Sequence, residues 1–544
     1  MATPGQFDEL TNQSPPYEDV DLFATDQPLW DAVAANGAAG DADALSAFGR
    51  CWGTAEMFEL GRQANENPPC LQSLNAKDVR RDVVEFHPAY HLLMASSVGE
   101  RLHSSSWTAA ATPAAAPAQV ARAARFYMAA QVETGHLCPI TMTRAAVAAL
   151  ATEPALAAKL MPKIMSRDYH PRFEPWWEKT AIMLGMGMTE KQGGTDVRAN
   201  TTRAVPAEEG YAITGHKWFM SAPMCDGFLV LAQAPRGLTC FLMPRFRPDG
   251  SVNALRFQRL KNKLGNRSNA SSEVEFADAF AWRVGEEGRG IRTILQMVQL
   301  TRLDCAIASA GLMRMALAQA LHHARHRSVF QKRLADQPIM HAVLADMALE
   351  VEAATALVMR LCRSFDLAGN DRQEAARARL LTPAVKFWVC KRAPAFVYEA
   401  MECLGGNGYV EDSLLPRLYR EAPVNAIWEG SGNVMCLDVL RAFAREGEAA
   451  RGVVASLAED AAGLEDPRER AAAVITALAE SKGEGDARIG VEQLAILAAT
   501  AALNTSAPPA VAEHFARARP SGMLGTAGMG VGDAAVLLER AMPA

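Results

Sequence analysis

The stretch Gly187-Met188-Thr189-Glu190-Lys191-Gln192-Gly193-Gly194-Thr195-Asp196-Val197-Arg198-Ala199 decides how the chain is read. It is a polar, glycine-rich loop of hydroxyls and free backbone N–H groups, suited to the edge of a polar heterocycle. Its adjacent glycines let the backbone approach a ligand closely. Taken alone, it also fits a surface turn. The texture of the chain changes around it. On the N-terminal side, 118–132 and 143–161 carry Ala, Leu, Met and Arg at helical spacings with few breakers. The run His170-Pro171-Arg172-Phe173-Glu174-Pro175 then stops regular helix, because each proline disfavours α conformation in the residue before it. On the C-terminal side, 211–214, 228–232, 238–243 and 272–276 are short, rich in β-branched or aromatic residues, and bounded by Gly, Pro, Asp and Asn. They predict strands of a small antiparallel barrel or sandwich. From Gly285 the helical pattern returns, with Ile291, Ile294, Leu295, Val298, Leu303 and Ile307 near one face and no proline before Pro338.

Helices, then strands, then helices, then an Ala-rich helical tail is an order that argues against a doubly wound α/β fold. The divisions follow: an N-terminal arm and helical domain over 1–182, a β domain over 183–285, a helical bundle over 286–445, and a further, separate helical extension over 446–544. Residues 1–43 read as an extended arm with short turns. A prior of roughly 150 residues per domain suggests three or four domains, and 49% apolar residues supply a large core. The net charge of −6 gives no overall bias towards nucleic acid. No charged start precedes an apolar run, and nothing approaches the roughly 18–20 apolar residues of a membrane span. The ten cysteines never form a Cys-x-x-Cys pair, which points to reduced thiols and a cytoplasmic compartment.

A second stretch runs from Glu402 through Gly405-Gly406-Asn407-Gly408-Tyr409 to Asp412, Arg417 and Glu421. The two stretches, in this order, resemble position by position the paired signature patterns of the acyl-CoA dehydrogenases. Gly285-Glu286-Glu287-Gly288-Arg289-Gly290 resembles the family's turn into its central helix. Arg327-Ser328-Val329-Phe330 with Gln337 resembles its element that reaches the FAD of a neighbouring subunit. Ile427-Trp428-Glu429-Gly430-Ser431-Gly432-Asn433 resembles the loop carrying its catalytic carboxylate.

The resemblance implies the acyl-CoA dehydrogenase fold, mostly α with a central antiparallel β-barrel, plus an extra C-terminal helical domain. It implies FAD, with Met186, Gly187, Met188, Thr189, Gly194 and Thr195 against the isoalloxazine and ribityl beside Phe219, Met220 and Ser221. Ile427, Trp428, Gly430, Ser431, Gly432 and Asn433 would run past the flavin. Gly405, Gly406, Arg327, Phe330 and Gln337 would serve the adenine dinucleotide, where unblocked N–H groups donate to phosphate. Glu429 resembles the base that removes the α-proton of an acyl-CoA. The same residue also fits a carboxylate at a helix start with Ser431 as N-cap. Some members place the base on the central helix in Leu-Glu-Arg-Leu; here Leu300-Thr301-Arg302-Leu303 leaves Glu429 as the candidate.

Further stretches, among them His87-Pro88-Ala89-Tyr90-His91 and Lys263-Leu264-Gly265-Asn266-Arg267-Ser268-Asn269-Ala270-Ser271, resemble the branch tied to the bacterial adaptive response to DNA alkylation. That branch implies a homotetramer, weak isovaleryl-CoA dehydrogenase activity, and double-stranded DNA bound by the C-terminal extension, where Arg517 and Arg519 resemble a basic pair. Affinity for phosphates depends on Lys and Arg, and from Arg441 onward ten basic residues face fourteen acidic ones. A catabolic dehydrogenase of branched or short-chain acyl-CoA without a DNA role is the alternative.

Several features depart from the family pattern or read blandly. Phe219 and Ala222 stand where the family has Trp and Asn, and Gln331 where Gly commonly follows the Phe. His322 and His326, like His87 and His91, have metal-ligand spacing without a third ligand, so no metal is expected. Trp176-Trp177 reads as domain packing, and 525–532 as a flexible turn.

Overall fold

The apolar periodicity after Gly285 folds as one long helix, Gly290–His326, and the other elements are arranged around it. A computed structural model describes residues 11–108, 118–479 and 484–519. The turn into this helix needs its glycines: Gly288 has φ +82°, and a Cβ there would lie 2.5 Å from the Arg236 carbonyl oxygen. The central helix packs against Ala118–Val132, Leu137–Leu150, Pro338–Leu367 and Arg372–Leu404. Asp304 on its buried side accepts from Arg122 Nη2 at 2.8 Å, Arg144 Nη1 at 3.0 Å and Thr141 Oγ1 at 2.9 Å. Two guanidiniums on one carboxylate tie the first helical layer to the central helix.

The strands expected after Gly185 form a seven-stranded sheet. Most pairings are antiparallel, as for Gly210–Ser221 with Ser271–Val284 and Gly227–Ala234 with Gly237–Pro244. Leu184–Gly187 and Arg203–Ala207, however, run parallel to Gly227–Ala234, so the sheet is mixed rather than purely antiparallel. Gly227–Ala234 pairs on one side with Gly237–Pro244 and meets Arg203–Ala207 through the single pair Arg203↔Gln233, so the pairings return on themselves.

Three expectations change. The N-terminal arm is not all extended: Gln27–Val33 is helical, capped by Asp26 accepting from the Leu29 N–H, and it buries Leu29, Ala32 and Val33. Pro28 in its first turn begins a helix rather than breaking one. The first helical region also contains a hairpin, Cys70–Leu74 with Arg80–Glu85. The tail forms Gly447–Asp460, Pro467–Ala479, Ala487–Ser506 and Pro509–Ala518. These helices do not stand apart. Ala487–Ser506 packs on Pro338–Leu367 and Arg372–Leu404 and shares their apolar core. The turn expected at 525–532 lies outside the described residues. Among those described, no helix is long and apolar enough to cross a membrane.

Candidate functional site

The carboxylate loop is built from two successive left-handed residues, Glu429 at φ +58° and Gly430 at φ +102°. A non-glycine residue persists in that region only where its surroundings over-determine it. Here the central helix and Arg372–Leu404 do so: Arg302 Nε donates to the Glu429 carbonyl oxygen at 3.0 Å, and Lys386 Nζ donates to that of Gly430 at 2.8 Å. Arg302 is itself fixed by Asp438 at 2.6 Å. Among the described residues the Glu429 side chain has one hydrogen-bond donor, Thr301 Oγ1, at 2.6 Å from Oε2. Burial pushes the Glu429 pKa up, and the Thr301 hydrogen bond and the charges of Arg302 and Lys386 recover part of the shift. Ser431 begins Gly432–Arg445 as its N-cap residue, but its side chain makes no capping hydrogen bond.

The sheet carries the other expected flavin residues, and Trp428 beside Glu429 packs against its apolar core. Among the described residues, Leu184–Gly187 pairs with no strand but Gly227–Ala234; Thr143 Oγ1 meets the outward N–H and carbonyl of Leu184, Asn200 donates to the Met188 carbonyl at 3.0 Å, and the Trp218 N–H donates to that of Thr189 at 2.8 Å. Gly194 lies so close to Thr189 that a Cβ would meet Oγ1 at 2.3 Å. Glu190, fully buried, pairs with Lys217 Nζ at 2.8 Å and accepts from the Thr201 N–H at 2.7 Å, which pins the loop to Gly210–Ser221. At the end of that strand Met220 is buried and the Ser221 and Ser271 hydroxyls lie 2.9 Å apart. Cys138, at the start of Leu137–Leu150, is buried in the same apolar cluster as Met220. Burial pushes its thiol up to about 11, and the Glu429 charge adds to the rise. Phe219 and Ile427 leave large apolar area open, 48% and 66% exposed.

The residues expected at the dinucleotide gather elsewhere. Arg327, Phe330 and Gln337 lie beyond the C-terminal end of the central helix, and roughly 26 helical residues at 1.5 Å each put them about 40 Å along its axis from Thr301. Phe330 sits at the tip of a small hairpin, 93% exposed at φ +50°. Gln337 Nε2 donates to the Val329 carbonyl at 3.0 Å. Arg327 Nη1 donates to the Asn12 carbonyl at 2.7 Å, and Asn407, beside Gly405 and Gly406, donates to Gln13 Oε1 at 3.0 Å. The N-terminal arm thus links hairpin and turn. His322 meets the Pro15 carbonyl oxygen at 2.8 Å and the Tyr17 ring, a packing role. Asn433 accepts from Arg488.

The basic pair of the tail divides. Arg517 is exposed beside Glu513. Arg519 is only 6% exposed and donates to Asp346 Oδ1 at 2.7 Å and Glu350 Oε2 at 3.1 Å. Its expected availability to phosphate is corrected, because two carboxylates already hold its guanidinium. Reading the sequence passed over Thr301, Arg302 and Lys386 as partners of Glu429. The one signal was Leu300-Thr301-Arg302-Leu303, taken only as the loss of an alternative base.

The Ser221 hydroxyl, the exposed Phe219 ring and the Glu429 carboxylate suit a flat heterocycle with a polar rim, such as the isoalloxazine of FAD. Fold and site together define a flavin-dependent dehydrogenase of the acyl-CoA type. Three family models match in chain order: the adaptive response protein AidB N-terminal domain over residues 12–171, the acyl-CoA dehydrogenase middle domain over 185–279, and the acyl-CoA dehydrogenase C-terminal domain over 288–444. The chain belongs to the acyl-CoA dehydrogenase family, in its AidB-like branch, and is an FAD-dependent oxidoreductase. It is 53% identical over 437 residues to the putative acyl-CoA dehydrogenase AidB of Escherichia coli (strain K12), covering 80% of each chain. Among solved structures it is similar to Caenorhabditis elegans ACDH-11 in complex with C11-CoA, with TM-score 0.82 and 29% identity over 95% of this chain and 93% of that one. It is also similar to the Bd2924 apo-form, with TM-score 0.83 and 26% identity over 91% and 99%.

Proposed function

We propose that this chain dehydrogenates an acyl-CoA, with Glu429 as the base that takes the α-proton. The observation that carries this reading is Glu429 itself: a carboxylate on a strained loop, oriented by Thr301 and Arg302. Its raised pKa makes it a better proton acceptor than an exposed carboxylate, and the bond from Thr301 aims Oε2. Bound FAD supplies the acceptor for the β-hydrogen, which leaves as hydride. The ACDH-11 structure holds C11-CoA, which supports an acyl-CoA as substrate, and isovaleryl-CoA is the branched probe. Addition of isovaleryl-CoA under anaerobic conditions should bleach the oxidised flavin spectrum; a spectrum that stays oxidised would reject this substrate class.

The same reading takes the middle sheet as the family's central barrel, which its returning pairings support. It makes the assembly a homotetramer in the cytoplasm, in which the hairpin, about 40 Å along the helix from Thr301, would serve the dinucleotide of another copy. It adds a role in the response to DNA alkylation with contact to double-stranded DNA, supported by likeness to AidB. Arg519 is spent on Glu350 and Asp346, so Arg517 alone of that pair remains for phosphate. Binding that weakens steeply with salt would support the DNA contact; no binding at low salt would reject it.

A further inference from the structure

Behind Ser221 lies a cation that the proton-abstraction chemistry does not use. Lys263 Nζ donates to the Asn269 carbonyl at 2.6 Å, to Ser271 Oγ at 3.0 Å and to Asn266 Oδ1 at 3.3 Å. All three partners are neutral, and no carboxylate stands within ion-pair distance of it among the described residues. Ser271 Oγ is in turn 2.9 Å from Ser221 Oγ. A lysine ammonium is therefore two hydrogen bonds from the hydroxyl that lines the flavin cleft.

We propose that Lys263, acting through Ser271 and Ser221, raises the reduction potential of the bound flavin. The inference rests on the flavin reading of the cleft. Two-electron reduction of the oxidised ring with uptake of one proton leaves one negative charge on it. A fixed positive charge at the cleft wall stabilises that product and leaves the neutral oxidised ring almost unaffected. The hydroxyl relay carries the same bias, because Ser271 accepts from Lys263 and so turns its own proton towards Ser221.

The state of the lysine agrees with this role. Burial pushes its pKa down to about 8, and Cys138, Glu421 and Glu133 only partly oppose the fall. Glu421 is occupied by the Asn266 N–H at 2.6 Å and Thr134 Oγ1 at 2.6 Å, and Glu133 by His136 at 2.8 Å. A cation held under strain by burial gains most from a new negative charge nearby. The arrangement favours reduction of the flavin by substrate.

The test is the midpoint potential of the flavin in the purified FAD-loaded protein, measured by equilibration with a redox dye. Lys263→Met should make reduction at least tenfold less favourable, about 30 mV for a two-electron couple. Lys263→Arg should restore most of the difference, and Ser271→Ala should give a smaller shift in the same direction. An unchanged potential in FAD-loaded Lys263→Met overturns the inference and leaves the flavin reading intact. A wild-type protein that binds no flavin overturns the reading beneath it. If Lys263→Met does not fold, Ser271→Ala decides, because it keeps the charge and cuts the relay: a wild-type potential there overturns the inference.

Discussion

Glu190 and Glu429 both stand in signature loops, the first fully buried and the second half-buried, and the structure gives them opposite surroundings. Glu190 faces the Lys217 ammonium, both side chains at 0% exposure, with further donors from the Thr201 and Thr202 N–H groups and the Thr201 hydroxyl. Burial alone would raise its pKa, but Lys217 and Thr202 outweigh burial and hold the carboxyl well below the usual range. Glu429 has one neutral donor, Thr301, and its pKa goes up. A carboxylate satisfied by a cation holds a loop in place. One satisfied by a single hydroxyl stays able to take a proton. Residue type is common to the two; the partners decide which is held ionised and which keeps a raised pKa.

The contrast makes four predictions. The largest effect belongs to the base: Glu429→Gln should retain FAD and lose turnover by about 10²–10⁴-fold, the usual span of general-base catalysis. Near wild-type turnover of isovaleryl-CoA would remove Glu429 from the chemistry. On the framework side, Lys217→Met leaves Glu190 buried without its cation and should cost about 3–5 kcal/mol in denaturant unfolding. The double variant Lys217→Met with Glu190→Leu should recover most of that loss, because no charge is then stranded.

The third concerns pH. The base works only when ionised, so activity should fall as pH drops through the raised Glu429 value. Thr301→Val removes a bond that lowers this pKa and should move the acid limb of the rate profile upwards by about one to two units, given roughly 1.5–3 kcal/mol for a hydrogen bond to a charged group. An unmoved limb would mean that Thr301 does not act through Glu429.

The smallest effect is on stability, and here the two carboxylates have opposite signs. The folded pKa of Glu190 is depressed, so its contribution is present above the unfolded value and is lost as pH falls through the folded one. The folded pKa of Glu429 is raised, so its carboxyl favours the folded state at low pH and opposes it above the folded value. Glu429→Gln should therefore be slightly more stable than wild type at neutral pH, by about 1 kcal/mol, with the gain vanishing in acid. Thermal melts across pH check the sign.

The helix, strand, helix order was legible because periodicities of 3.6 and 2 residues are local, as in Gly290–His326 and Gly227–Ala234. The hairpin Cys70–Leu74 with Arg80–Glu85 was not, since its six-residue second strand opens with the charged run Arg80-Arg81-Asp82. Nor was the Gln27–Val33 helix, where Pro28 reads as a breaker unless its place in the first turn is known. The tail was legible as helix, but its attachment was not. Composition gives Ala487–Ser506 an apolar character without saying which surface covers it.

By itself the sequence determined the family, and it singled out the signature loops and the carboxylate at 429 as candidates, because these depend on residue types at short, fixed spacings. Tertiary structure alone decided what each charged group does. Thr301 reaches Glu429 across 128 residues, Lys386 reaches Gly430 across 44, and Arg519 turns to Glu350 across 169. Desolvation and hydrogen bonding act through space over a few ångströms, and only the folded chain brings such distant residues that close.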